Sequence, residues 1–415
     1  MFQKLLHAAL DRLVVHGRLA VHGPDGTVRH HGGAPGPEAA LRIRDTRTIR
    51  RLVMNPSLAF GELYMDGAIE PEGCTIGDLV EVLVLNQWQG GQHPIDHALA
   101  LLRQARRRLD QFNPASRARR NVAHHYDLDG RLYALFLDRD LQYSCAYFPT
   151  GGETLEQAQE LKKRHIAAKL KLDRPQGAEP LEVLDIGCGW GGMALHLAQD
   201  WGCRVTGITL SEEQLAEARR RAEAAGLADR VRFELMDYRA WTRPVDRVVS
   251  VGMFEHVGIN AYGTFFQTIR DALKPDGVAL VHAIGRASGP SHTNAWLAKY
   301  IFPGGYSPAL SEVVPAVEKA GLWITDVEIL RLHYALTLAE WRRRFAANRE
   351  AIRALHDERF CRMFEFYLAG CEFTFRHGDH MNWQMQLTRD KAALPLTRAW
   401  MAEERARPPL AVAAE

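Results

Sequence analysis

The sequence contains no C-x-x-C pair; its six cysteines, at positions 74, 145, 188, 203, 361 and 371, are scattered singly along 415 residues. Isolated thiols suit a reducing compartment and argue against a structural zinc or a dithiol redox site. No apolar run approaches the roughly 18 to 20 residues that span a bilayer. The start, MFQKLLHAALDRLVVHGRLAVHG, offers six uncharged residues before Asp11 and Arg12 and lacks a small-residue cleavage pattern, so no secretory leader is expected. Internal repeats and low-complexity tracts are missing too. These absences lead to the expectation of a cytoplasmic globular protein. An apolar share of 47% and a charged share of 25% exclude wholesale disorder, and a net charge of +2 points to no partner. At 415 residues the chain exceeds the size at which one core usually stops growing, so two domains are expected.

Residues 1–100 read as a small α+β unit: a helix near 2–13, strand-like GRLAVHG and EAALRIRD, and a helix over TIGDLVEVLVLNQW. It carries no catalytic signature. Residues 101–120 form a basic linker, in which seven arginines (103, 106, 107, 108, 117, 119 and 120) accompany one acid, Asp110. Such a run is ordinarily a solvated helix face, but Leu101, Leu102, Leu109 and Phe112 also permit a basic helix lying on anionic lipid. From residue 181, strands LEVLDIG, CRVTGIT, RVRFELM, DRVVSVGMF and GVALVHAIG alternate with helix-like segments, the pattern of a doubly wound, mainly parallel α/β sheet. Ser211 followed by Gln214 predicts a capping box, and Lys274-Pro275-Asp276-Gly277 a turn. A helix, a strand, a long helical stretch over 337–369 and a final strand within CEFTFRHGDHMNWQMQLTR complete a 121–400 catalytic domain, with a frayed tail over 401–415.

The first of these strands ends in LDIGCGWGG. Glycines 187, 189, 191 and 192 let backbone approach a ligand and open a helix N-terminus toward it. G-x-G-x-x-G alone is shared with dinucleotide-binding folds. Those folds place an acid at the end of the second strand for the ribose hydroxyls, whereas this strand ends Thr209-Leu210-Ser211. Asp185 before the glycines and the later LMDY turn resemble instead the class I S-adenosylmethionine-dependent methyltransferases. In that fold the loop surrounds the methionine part and the turn, here Asp237 and Tyr238, borders the adenine. Gln214 either caps its helix or also bonds the ribose, and the two roles can coexist.

Other residues carry two readings each. In LQYSCAYFPTGGETLEQAQ, Cys145 lies among Tyr143, Ser144, Tyr147 and Phe148 with no histidine beside it to lower its pKa, and a cysteine in an aromatic run is ordinarily buried filling. Glu255 and His256 follow the fourth strand, where open α/β sheets bind ligands, though a solvated loop explains them as well. His282 at a strand end is otherwise a core histidine, and Tyr334 after a strand otherwise only packs. His93/His97 and His377/His380 have metal-compatible spacing, but surface or packing roles account for them.

Taken together, YSCAYF, LDIGCGWGG, GITLSEEQ, MFEHVG, HAIG and HYALTLAEW, in this order and spacing, resemble the cyclopropane-fatty-acyl-phospholipid synthase and mycolic acid cyclopropane synthase family. The likeness is strong over 120–390, while residues 1–100 resemble the small N-terminal domain of the bacterial phospholipid enzymes. It implies a class I methyltransferase with a mainly parallel seven-stranded sheet that cyclopropanates a cis double bond of a lipid acyl chain. It also implies that Cys145, Glu255, His282, Ile284 and Tyr334 enclose a bicarbonate ion, and that Tyr126, Tyr143, Ser144, Asp185, Gly187, Cys188, Gly189, Thr209, Leu210, Gln214, Asp237 and Tyr238 contact S-adenosyl-L-methionine.

The chemistry suits these residue types. An alkene has no ionisable proton, so the protein aligns it with the sulfonium methyl and excludes water; a base must then take a proton from the transferred methyl for the ring to close. The matched pocket offers no lysine for this, which is why bicarbonate is attractive. Either bicarbonate or Glu255 is partly neutralised, or His282 is protonated, and the sequence leaves these open. An alternative ending, hydride shift and proton loss, gives a methylene or, with a partner reductase, a methyl-branched chain. A nucleic-acid methyltransferase lacks any accompanying RNA-binding module, and a non-catalytic lipid-binding protein would not need the complete loop with Glu255. The expected partners are an unsaturated phospholipid at a membrane surface and a second copy of the chain, with no nucleic acid. The expected location is cytoplasmic, transiently at the inner face of the cytoplasmic membrane.

Overall fold

The computed structural model describes residues 1–89, 111, 113, 130–173, 175 and 177–406. Tyr126, the arginine-rich linker, His93, His97 and the last nine residues lie outside the described residues. The chain forms two compact units, the first comprising Met1–Asp110, Ser291–Pro303 and Tyr334–His380, and the second the remainder.

In the first unit, β1 (His16–His22), β2 (Val28–Gly32), β3 (Ala34–Ile43) and β4 (Ile69–Pro71) form a sheet in the order β2-β1-β3-β4. Leu19, Val21, Leu41 and Ile43 pack with Leu63, Leu79 and Val82 from the flanking helices. Ala369 and Phe373 belong to this same core. They lie on the helix Glu358–His377, which opens with Asp357 accepting from the Phe360 N–H at 2.7 Å. This helix, within the expected 121–400 domain, therefore buries its apolar face in the core of the first unit. The expected final strand within CEFTFRHGDHMNWQMQLTR is His380–Thr388, and the start of that segment is helical. Helix continues to His377, and Ala369 and Phe373, one turn apart, both reach the core of the first unit. The single long helical stretch over 337–369 is three helices, His333–Ala347, Arg349–Leu355 and Glu358–His377.

The second unit contains β5 (Glu182–Ile186), β6 (Arg204–Thr209), β7 (Val231–Leu235), β8 (Val245–Val251), β9 (Leu273–Arg286), β10 (Trp323–Leu330) and β11 (His380–Thr388). They form one seven-stranded sheet, β10-β11-β9-β8-β5-β6-β7. Neighbours among β5 to β9 run parallel and β10 pairs antiparallel with β11. Both faces are covered: Leu184, Val248 and Val281 pack with Phe254, Phe265 and Trp383, while Val183, Val205 and Leu280 pack with Ile166, Leu197 and Ala218. This explains why the strands read as near-continuous apolar runs. The expected turn at Lys274–Gly277 is instead a bulge within β9, because Leu273 pairs with Val245 and Val278 with Arg247. From β5 the chain winds first to β6 and β7, then back to β8 and β9. That reversal makes a crevice at the carboxyl ends of β5 and β8.

Candidate active site

Three loops meet the strand ends of this crevice. After β5, Gly187 takes φ +81° and the N–H groups of Gly187 and Cys188 both donate to the Ile208 carbonyl, at 2.9 and 3.0 Å, tying the loop to β6. A Cβ at Gly187 would lie 2.8 Å from the Met253 side chain. Gly191, at φ +85°, caps the helix Gly192–Trp201, whose N-terminus opens at this loop. Asp185 is buried, and its Oδ2 has no hydrogen-bond partner among the described residues. Burial pushes its carboxyl up to about 7, with Lys162 pulling the other way. Cys188 is buried and its thiol is raised well above the usual value by burial, which makes it inert.

At the end of β6, the Thr209 hydroxyl and Gln214 Oε1 lie 3.0 Å apart, and Ser211 Oγ accepts from the Gln214 N–H at 3.2 Å. The predicted capping box is half made: the Ser211 N–H goes to Thr209 Oγ1, leaving the Gln214 side chain pointed back at Thr209. Leu210, beside them, is partly exposed. Beyond β7, Asp237 accepts from the Arg239 N–H at 3.0 Å and forms a two-pronged pair with its guanidinium. That guanidinium covers the Tyr238 ring, whose edge meets Phe265, and burial raises the phenol to about 12. Asp237 and Tyr238 thus form a rigid, ion-paired corner.

The aromatic run lines a second wall. Tyr143 meets Tyr133 and Phe136 edge-on, while the Tyr147 ring is stacked between His165 and His333. Cys145 is buried and its thiol donates to the Ala146 carbonyl at 3.3 Å. Ser144 Oγ accepts at 2.9 Å from Lys162 Nζ, which also donates to Gln142 Oε1 at 2.6 Å. Lys162 is fully buried and burial lowers it to about 8, opposed chiefly by Asp138. Lys162 is not among the expected site residues, although it bonds Ser144, which is. A signal existed: Lys162 falls at helical spacing with Leu155, Ala158, Gln159 and Ile166, a lysine on the inward stripe of the helix Leu155–Lys169.

The third group lies at the ends of β8 and β9. Glu255 is buried on a short turn after β8; its Oε1 accepts from the Ile284 N–H at 2.6 Å and its Oε2 has no partner among the described residues. Burial raises its carboxyl to about 7, although the Ile284 N–H favours the charged form. The solvated-loop reading of Glu255 fails. His282, on β9, is buried among Gln384, 3.1 Å from Nδ1, and Asn382, 3.5 Å from Nε2. Burial first, then Lys162 and Lys169, lower it to about 3, so the ring is neutral. Tyr334 belongs to the other compact unit, where its ring meets Trp341 and Phe375 edge-on. His377 pairs with Glu81 and His380 with Asp379, and one set of potential metal ligands, Glu160, His196 and Asp200, lies together among the described residues.

The sheet order and the glycine loop at its switch point define a class I S-adenosylmethionine-dependent methyltransferase fold. Residues 114–385 match the mycolic acid cyclopropane synthetase family, and the chain belongs to that family. Residues 5–89 match a domain of unknown function. The chain is 37% identical over 359 residues to the cyclopropane-fatty-acyl-phospholipid synthase of Escherichia coli K12, covering 86% of this chain and 89% of that enzyme. It is 36% identical over 402 residues to the tuberculostearic acid methyltransferase UfaA1 of Mycobacterium tuberculosis, covering 92% of this chain and 90% of the relative. Among solved structures, the mycolic acid cyclopropane synthase CmaA1 complexed with SAH and CTAB superposes with a TM-score of 0.60 at 32% identity, over 67% of this chain and 99% of that one.

Proposed function

We propose that this enzyme converts a cis double bond in an unsaturated phospholipid acyl chain to a cyclopropane ring, with S-adenosyl-L-methionine as methyl donor. The observation that carries the reading is Glu255: a buried carboxyl pinned by the Ile284 backbone, with one oxygen lacking a protein partner, at the crevice end of the sheet. The loop fits the donor, since the partnerless Asp185 oxygen can accept from an ammonium or hydroxyl and the positive-φ glycines bring backbone close. When bound, the donor supplies an electrophilic sulfonium methyl. Gly187, Gly189, Ser144, Thr209, Leu210, Gln214, Asp237 and Tyr238 would hold it, together with Tyr126. The chain's task is to keep the alkene dry and aligned and to position a base for the transferred methyl.

Bicarbonate as that base is part of the proposal. With Glu255 titrating near 7 and His282 neutral, the anion need not face two fixed negative charges: a proton on Glu255 lets the carboxyl donate to it. Cys145, with its thiol proton spent on a backbone carbonyl, and Ile284 would close the pocket as walls. The competing product is a methylene or, with a partner reductase, a methyl-branched chain, favoured by the likeness to the tuberculostearic acid methyltransferase. The test is mass spectrometry of lipids from unsaturated phospholipid vesicles incubated with enzyme and labelled cofactor, with and without bicarbonate at constant pH. A ring product whose formation slows in carbonate-free buffer and recovers on addition is expected. A derivatisable exocyclic alkene would establish the competing reading, and full carbonate-free activity would remove bicarbonate.

No helix among the described residues is long and apolar enough to cross a membrane, so we propose transient docking at the inner face of the cytoplasmic membrane, by a homodimer. Arginines 103–120 are the candidate surface. The arginines over 341–362 are charge-compensated: Arg342 pairs with Glu372, Arg343 with Glu340, Arg349 with Glu358 and Glu365, and Arg362 with Glu358 and Glu70. Charge reversal at Arg106, Arg107 and Arg108 is expected to weaken co-sedimentation with anionic vesicles, at most about 1 kcal/mol per arginine and less in high salt, with cofactor binding intact. Unchanged sedimentation would move the docking surface elsewhere.

A further inference from the structure

Strand β11 has an unusual inner face. Trp383, Met385 and Leu387 point into the apolar core, and the alternate positions Asn382, Gln384 and Gln386 are carboxamides at 1% exposure or less. Buried carboxamides are costly unless bonded. Gln386 is satisfied structurally: its Nε2 donates to the Lys169 carbonyl and its Oε1 accepts from the Thr325 hydroxyl. Gln384 is bonded differently. Its Oε1 accepts from Lys169 Nζ at 2.8 Å, and its Nε2 lies 3.1 Å from His282 Nδ1.

An amide can be turned end for end unless a neighbour forbids it. Here the neighbour is an ammonium, which only donates. Lys169 is paired with Glu328, and Glu328 also bonds His165 Nε2 at 2.6 Å. Burial pushes the Glu328 carboxyl up, but these hydrogen bonds outweigh it and hold it well below the usual range. Glu328 stands opposite Gln384 in the β10/β11 register, so the sheet itself sets the order of this row. With its oxygen committed to Lys169, Gln384 presents its NH₂ to His282 Nδ1, and Nδ1 must then carry a lone pair.

We infer that Gln384, oriented by the Lys169–Glu328–His165 ion cluster, is a positioning residue that holds His282 as its neutral Nε2–H tautomer, making His282 a hydrogen-bond donor and not the base. On the opposite ring edge Asn382 Nδ2 lies 3.5 Å from Nε2 and its Oδ1 has no partner among the described residues, so an Nε2–H there requires this amide to be turned end for end, which would give the oxygen a donor. The titratable groups acting on His282 are Lys162, Lys169 and His165 from the helix Leu155–Lys169, and Glu328 from β10. All but Glu328 oppose a second proton. The inference deepens the proposed reaction and rests on it for the role of His282, but the tautomer is independent of the reaction.

The experiment is ¹⁵N–¹H NMR of the full chain with ring-labelled histidine, His282 being assigned from the signals lost in H282Q. Wild-type protein should show a protonated Nε2 and a bare Nδ1, unchanged from pH 5.5 to 8. In Q384E the carboxylate accepts where the amide donated, so His282 should move to the Nδ1–H tautomer or to imidazolium. Turnover in the vesicle assay should fall on the order of tenfold to a hundredfold, with cofactor affinity unchanged. An Nδ1–H tautomer or a titrating His282 in wild-type protein would overturn the inference without any variant having to fold. If the tautomer is as expected but no lipid product of either kind forms, the proposed function falls and the positioning role of Gln384 stands.

Discussion

Glu255→Gln is expected to lose at least about a hundredfold in turnover while keeping its affinity for S-adenosyl-L-methionine, because the substitution removes an ionisable group from the reacting end of the crevice and leaves the glycine loop untouched. Calorimetric titration with the cofactor and the vesicle assay separate the two effects, and near wild-type turnover would remove Glu255 from the mechanism. The same variant tests the burial of the carboxyl. Its folded-state pKa is raised from 4.5 to about 7. A group raised in this way contributes stability that is fully present below the unfolded value and is lost as pH climbs through the folded one. Wild-type protein should therefore lose stability relative to E255Q between about pH 4.5 and 7, by up to about 3 kcal/mol at about 1.4 kcal/mol per pH unit. Denaturant melts at several pH values measure the slope, and parallel curves for the two proteins would mean that Glu255 is solvated.

Gly187→Ala is expected to weaken cofactor binding at least about tenfold and to lower the melting temperature, whereas Gly189→Ala should do much less. Both positions have positive φ, +81° and +53°, so each alanine carries a left-handed backbone cost of about 1 to 2 kcal/mol. Only at 187 does the new Cβ collide, 2.8 Å from Met253 Cβ and Cγ. Met253 immediately precedes the turn Phe254–His256, so its displacement reaches Glu255 as well as the loop. At 189, among the described residues, no atom beyond the chain neighbours lies within 4 Å of the added Cβ. Equal effects of the two alanines, measured by calorimetry and thermal melts, would show that backbone strain alone governs this loop and that the contact with Met253 does not matter.

Much of this arrangement was legible in the chain. The spacing of apolar strands with amphipathic helices gave β5 to β9 in order, and the glycines around Asp185 marked the crevice, since φ preference and side-chain periodicity are local properties. Glu255 and His282 were legible as positions, one after a strand and one within it. Their protonation was not. For Glu255 it is set by desolvation against the Ile284 N–H, and for His282 by desolvation with Lys162 and Lys169, opposed by Glu328, groups from distant parts of the chain. The spacing of Lys162 on the apolar stripe of its helix is a sequence signal for an inward lysine, but the packing of that helix decides how deeply Lys162 and Lys169 are buried.

The chain by itself determined the order of elements, the glycine loop and the family likeness, because each depends on residues close in sequence or on their spacing. The tertiary structure alone decided that the helix Glu358–His377 joins the N-terminal core, that Gln384 lies between Lys169 and His282, and that a carboxyl and an imidazole in one unit reach about 7 and about 3. The physical reason is range. Backbone preference acts over a few residues, whereas burial and the orientation of a buried amide depend on neighbours brought together from strands and helices up to 217 positions apart.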